Sequence, residues 1–276
     1  MSHEDTDAST SVESRSTVLS KVPAVTLTFW AIKILATTLG ETGGDAVTMT
    51  WLGETTAAAN PNGYLIGTAI FATALALLVV VQIVATKFHP FLYWTTIIAS
   101  TTAGTTLADF ADRSLGVGYT GGSSILFLCV MAVLGLWYWS EGTIAVETVS
   151  KPKTEAFYWA TITFSQTLGT ALGDWMADSS GFGFFGAALV FIAALAVVAV
   201  LFYLTGLSRV LLFWAAFILT RPLGATVGDF LDKPLNQGGL NFSRPLATAI
   251  IVVIMVVGIV LTPQRAGLHP GATKSS

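Results

Sequence analysis

The sequence predicts an all-α integral membrane protein: eight transmembrane helices forming four same-orientation two-helix repeats, with motif-bearing odd helices inside and aliphatic even helices outside. Three observations predict it. Of 276 residues, 53% are hydrophobic and 11% charged, where soluble domains carry about 25% charged residues. Eight apolar stretches approach the ~20 residues needed to cross a bilayer. Four of them share one motif, a Trp, then a Gly ten residues on, then a small residue immediately followed by Asp.

Residues 1–22 are polar and lack the apolar core and small-residue cleavage site of a signal peptide. They are expected to be a disordered cytoplasmic tail. The single transmembrane domain, 23–262, then divides into repeats 23–88, 89–150, 151–207 and 208–262. Repeat one holds spans 24–48 and 64–86, with Trp30, Gly40, Gly44 and Asp45. The second holds 91–112 and 123–140, with Trp94, Gly104, Ala108 and Asp109. Repeat three holds 156–178 and 184–205, with Trp159, Gly169, Gly173 and Asp174. The fourth holds 209–232 and 244–262, with Trp214, Gly224, Gly228 and Asp229. Gly116 to Gly122, Gly181 to Gly186 and Gly238 to Gly239 read as tight turns between helices. Residues 263–276 read as a second cytoplasmic tail.

Basic residues set the orientation. Arg15, Lys21, Lys87, Lys151, Lys153, Arg209, Arg265 and Lys274 fall on the side of both termini, and Arg113, Lys233 and Arg244 on the other. Both termini are therefore expected in the cytoplasm, with the protein in the cell (inner) membrane. A two-helix unit returns to its starting side, so the four copies are parallel. This contrasts with the inverted repeats of many transporters. Trp and Asp stand fifteen residues apart, roughly 22 Å of helix. The tryptophans then suit the cytoplasmic interface, and the aspartates the outer third of the bilayer. Lys33, one turn beyond Trp30, is expected to snorkel to the cytoplasmic surface.

The paired small residues before each Asp form the face on which transmembrane helices approach closely. Thr37, Thr38, Thr101, Thr102, Thr105, Thr106, Thr167 and Thr170 crowd the same turns. Such helices belong against protein or water. A carboxylate near the bilayer centre costs at least ~2.5–3.5 kcal/mol, so four in register suggest one shared polar site. Like charges gathered at low dielectric must take up protons or bind a cation. Asp45, Asp109, Asp174 and Asp229, with Glu41 one turn before Asp45, are the candidate cation ligands. Oxygen donors suit Mg²⁺, Ca²⁺ or Mn²⁺, and protons are alternative occupants. Arg221 stands where Thr37, Thr101 and Gln166 stand in the other copies. It is expected to pair with Glu41 or a neighbouring Asp as an internal counter-charge. Asp112, Asp178 and Asp232 are expected to line the outer mouth and concentrate cations. A plainer alternative is that each Asp caps a helix end, or that the polar residues only join helices.

Composition also excludes. One Cys, Cys129, leaves no disulfide framework, and His3, His89 and His269 fall at the ends or loop edges. No cofactor, nucleic-acid partner, phosphate-binding loop or nucleophile–base pair is legible, so an enzyme is not expected. The expected partners are the lipid bilayer and a small cation, with the chain acting as monomer or homo-oligomer.

The repeated aromatic–Gly–Asp pattern resembles a family of uncharacterised multi-pass bacterial membrane proteins described only as membrane-anchored; the likeness covers about residues 24 to 262 and implies no activity. A looser likeness is to manganese/calcium transporters with Glu-x-Gly-Asp followed by a basic residue. Glu41-Thr42-Gly43-Gly44-Asp45-Ala46 departs from it by one inserted residue and lacks the base. The expectation is a secondary transporter for a small cation. The alternative is a membrane scaffold or sensor whose Gly/Asp motifs serve helix packing.

Overall fold

The computed structural model describes residues 19–54 and 62–268. Glycine and threonine near the middle of the motif helices leave little side chain between backbones, and these helices close on one another. The helices are α1 (Leu27–Asp45), α2 (Gly63–Val84), α3 (Pro90–Asp109), α4 (Tyr119–Glu141), α5 (Pro152–Asp174), α6 (Gly183–Leu204), α7 (Arg209–Asp232) and α8 (Arg244–Leu261). The odd helices form a ring, α1 on α3, α3 on α5, α5 on α7 and α7 on α1.

Each even helix packs on the odd helix of the following repeat, α2 on α3, α4 on α5, α6 on α7, and α8 back on α1. The sequence unit is thus a hairpin, whereas the packing unit is an outer helix with the next inner one. The outer helices turn Leu77, Leu128, Val197 and Val253 outward. α2, α4, α6, α7 and α8 are long and apolar enough to cross a membrane. α1, α3 and α5 fall short on composition because polar motif residues occupy the face turned into the ring.

The ring has a pseudo-four-fold regularity. The residue three before the first motif Gly in one repeat lies on that Gly of the repeat before. A Cβ built on Gly40 would fall 2.0 Å from Thr101 Oγ1, on Gly104 2.9 Å from the Gln166 backbone, on Gly169 2.2 Å from Arg221 Cγ and on Gly224 2.1 Å from Thr37 Oγ1. Only glycine permits those approaches. The threonines return their hydroxyls to the carbonyls one turn back, as Thr38 Oγ1 does to Ile34 O at 3.0 Å. Thr37 and Thr101 also donate across the ring, to Thr220 O and Ala36 O, each at 3.2 Å.

At the Trp end the same order recurs in aromatics. Each motif Trp is preceded by Phe or Tyr, and that ring meets the Trp of the next repeat: Phe29 with Trp94 at 5.6 Å, Tyr93 with Trp159 at 5.8 Å, Tyr158 with Trp214 at 6.2 Å and Phe213 with Trp30 at 5.6 Å. Tyr93 and Tyr158 share a 2.6 Å hydroxyl hydrogen bond. Three of the four tryptophans, Trp94, Trp159 and Trp214, are buried. These three indoles pack within one end of the bundle rather than on its surface. Aromatic faces and edges attract one another and displace more area from solvent together than apart.

Two further differences concern the ends and Lys33. Within the expected tails, β1 (Leu19–Pro23) pairs antiparallel with β2 (Ala266–Leu268). Residues 1–18 and 269–276 lie outside the described residues. The strand is held because Ser20 Oγ donates to Val146 O at 2.9 Å and Lys21 pairs with Glu155 at 2.6 Å. Lys33 does not reach the surface. It is fully buried on the ring's inner face, 4.1 Å from the centre of the Phe217 ring, with Thr220 Oγ1 at 3.5 Å. Phe217 and Thr220 of α7 are the groups that hold its ammonium inside the bundle.

Candidate functional site

Beyond the glycine tier the axis becomes polar. Glu41, Thr105, Thr170 and Ala225 occupy equivalent places, each following the first motif Gly. Arg221 sends one guanidinium nitrogen among them. Its Nη2 donates to Glu41 Oε2 at 3.0 Å and Thr105 Oγ1 at 2.6 Å, and also to Thr170 Oγ1. One side chain of repeat four thereby binds residues from the other three. Arg221 has no exposed surface, and its Nε and Nη1 lack a hydrogen-bond partner. Of the partners expected for Arg221, Glu41 or a neighbouring Asp, the acid that lies on it is Glu41.

One turn further lie the motif aspartates, all four buried. In repeats one to three the helix changes there to a π-helical turn, Ala46–Trp51, Phe110–Ser114 and Trp175–Ser179. The fourth has no such turn, because Pro234 cannot continue a helix and α7 stops at Asp232. Asp45, Asp109 and Asp174 make no capping hydrogen bond at these junctions. They are joined across repeats instead. Arg113 meets Asp109 at 3.2 Å and Asp174 at 3.4 Å. Lys233 meets Asp45 at 2.7 Å and Asp229 at 2.9 Å. Arg244 lies 3.9 Å from Asp45 and 3.7 Å from Asp232.

Arg113 and Lys233 each sit four residues after their own repeat's Asp; Met49 and Asp178 hold that place in repeats one and three. Four-fold order thereby drops to two-fold in the charges. In this network six carboxylates, Glu41, Asp45, Asp109, Asp174, Asp229 and Asp232, share four bases, Arg113, Arg221, Lys233 and Arg244. The tightest acid group is Glu41, Asp45 and Asp229, which bring one oxygen each within 4.8 Å of one another. Asp109 and Asp174 stand apart from that triad, tied by Arg113.

The three outer acids part company. Asp178 lines a cavity of about 720 Å³ and accepts from Tyr119 OH at 3.3 Å. Asp112 packs on Gly122. Asp232 is buried, 3.7 Å from Arg244, and is not among the residues that line this cavity. The same cavity is lined by Arg113, Lys233 and Arg244. So this cavity is lined by three bases and one acid, the bases being held there by the aspartates beneath. The sequence carried a signal for Arg113 and Lys233, Asp followed four residues later by Arg or Lys, a spacing that puts both on one helix face. It also carried the aromatic pair Phe29-Trp30, Tyr93-Trp94, Tyr158-Trp159 and Phe213-Trp214, of which only the Trp entered the motif.

Of the helix-packing residues, Gly40, Gly104, Gly169 and Gly224 are the close approaches already described. Gly44, Gly173 and Gly228 face Thr105, Ala225 and Glu41 of the following repeat, and Ala108, also buried, fills the corresponding place in repeat two. No curated protein and no solved structure matches the chain. Four segments, residues 28–88, 92–143, 157–208 and 212–263, match a family described as Repeat of Unknown Function (DUF347), each beginning two residues before its motif Trp. Four matched copies account for most of the chain, and the protein belongs to this repeat family.

Proposed function

We propose that the protein is a secondary transporter for a small cation, a divalent metal such as Mn²⁺, Mg²⁺ or Ca²⁺ or a proton-coupled ion, bound by Glu41, Asp45 and Asp229. In this reading all eight helices span the cell membrane and both termini face the cytoplasm. The observation that carries it is the imbalance of the ion-pair network, six buried carboxylates to four bases, with Lys33 a further buried base that pairs with none of them among the described residues. Unpaired charge at low dielectric is costly, and a bound divalent ion or protons would supply the missing positive charge. The accessible route is from the basic cavity. On the opposite side the axis is filled by Arg221, Lys33 and the aromatic ring, so the arrangement fits a carrier closed on one side better than an open pore.

Flux of Mn²⁺, Mg²⁺ and Ca²⁺ into proteoliposomes, with and without a pH gradient, tests the proposal. Asp45→Asn is expected to reduce uptake by about tenfold or more, on the scale of losing one charged ligand. A second reading, a non-transporting scaffold or sensor, is favoured by the cyclic glycine packing. It expects no flux in either protein and a fold perturbed by the substitution.

A further inference from the structure

Lys233 occupies a particular place in the triad. Its ammonium lies 2.7 Å from Asp45 Oδ2 and 2.9 Å from Asp229 Oδ1, between two of the three carboxylates that would ligate an ion. Asp45 Oδ1, fully buried, has no hydrogen-bond partner among the described residues. The backbone of Lys233 is pinned: its N–H donates to Asp229 O at 2.9 Å, its carbonyl accepts from Asn241 N at 2.9 Å, and Gly239 packs against it. The side chain is not pinned in the same way. Besides the two acids it touches Met49 Sδ at 3.9 Å, a soft contact, and it borders the cavity of about 720 Å³. Arg113, its counterpart in repeat two, is anchored by a 3.1 Å hydrogen bond to Tyr64 OH.

Resting on the cation reading of this site, we propose that Lys233 is a tethered cation that exchanges with the transported ion. Without the ion, the ammonium compensates Asp45 and Asp229. When the ion enters from the cavity, the flexible stem swings the ammonium outward and the oxygens turn to the metal. The site is then never left as bare buried carboxylates, which is the costly state. Affinity for the ion is reduced by the fraction of time Lys233 holds the acids, so removing the competitor raises apparent affinity.

The test measures stabilisation of the purified full-length protein by Mn²⁺, Mg²⁺ and Ca²⁺ through thermal unfolding, in wild type, Lys233→Gln and Lys233→Arg. Expected is an apparent affinity about tenfold tighter in Lys233→Gln. Lys233→Arg is expected to bind more weakly than wild type, since a guanidinium holds carboxylates bidentately. If wild type responds to a cation and Lys233→Gln binds no more tightly, Lys233 is not a competitor and this inference falls alone. If no cation stabilises wild type or Lys233→Gln, the cation site and the inference fall together. Should Lys233→Gln not fold, Lys233→Arg decides, and affinity equal to wild type overturns the proposal.

Discussion

Arg221 is the residue on which the fewest alternatives could stand. It lies at a place that in two repeats is Thr and in one Gln, yet it binds Glu41 and two threonines at the axis. Breaking one side of a fully buried ion pair typically costs about 3–5 kcal/mol, whereas removing both members is often near neutral. Arg221→Gln is therefore expected to lower stability by about that amount, and Glu41→Gln/Arg221→Gln to recover most of it. Denaturant or thermal unfolding of the four proteins of the cycle checks this, and additive losses would show that the two groups do not act as a pair. That Arg221 meets an acid was legible, because an arginine inside an apolar helix needs a carboxylate; which acid, Glu41 or a neighbouring Asp, was decided by the packing of α7 on α1. The place of Lys33 was not legible. A lysine one turn from Trp30 has two solutions, snorkelling or burial, and the choice was made by Phe217 and Thr220 of α7, which meet it only after folding.

At the scale of elements, the inner helices depend on close approach and the outer ones on apolar exposure. Gly224 sits so near Thr37 that an added methyl would fall 2.8 Å from its backbone carbon, which a rotamer change cannot relieve. Gly135, within α4, has open space around the corresponding point. Gly224→Ala is thus expected to destabilise by about 1–3 kcal/mol or more, and Gly135→Ala to stabilise by up to ~1 kcal/mol through helix propensity. Thermal unfolding in one detergent compares them. Equal effects would mean that the ring is looser than its glycines imply. Helix number, the inner and outer division and the role of these glycines could be read from hydropathy and the repeated motif. Which outer helix lies on which inner one could not, since the aliphatic lengths of α2, α4, α6 and α8 are nearly interchangeable and the polar groups that tie three of them, Tyr64 to Arg113, Tyr119 to Asp178 and Arg244 to Asp45, sit in first turns with partners far away in sequence.

At the scale of the molecule, the ring must be closed between its first and last repeats, and no covalent turn joins them there. α8 closes the outside by packing on α1. The N-terminal strand closes the aromatic end: its Lys21 pairs with Glu155 of α5 at 2.6 Å and donates to Gln82 O and Ile83 O of α2 at 3.2 Å. One residue ahead of the first repeat thus ties the second helix to the fifth, while β2 brings the chain's other end alongside. A charged residue in a polar segment looked like solvated tail because its partners lie more than sixty positions away. Glu155 is buried, so Lys21→Met leaves a carboxylate without its cation. The expected outcome is a loss of about 1–3 kcal/mol, the cost of an orphaned buried polar group, recovered in Lys21→Met/Glu155→Gln. If instead thermal unfolding shows Lys21→Met as stable as wild type, the strand merely rests on the bundle and α8 alone completes the ring.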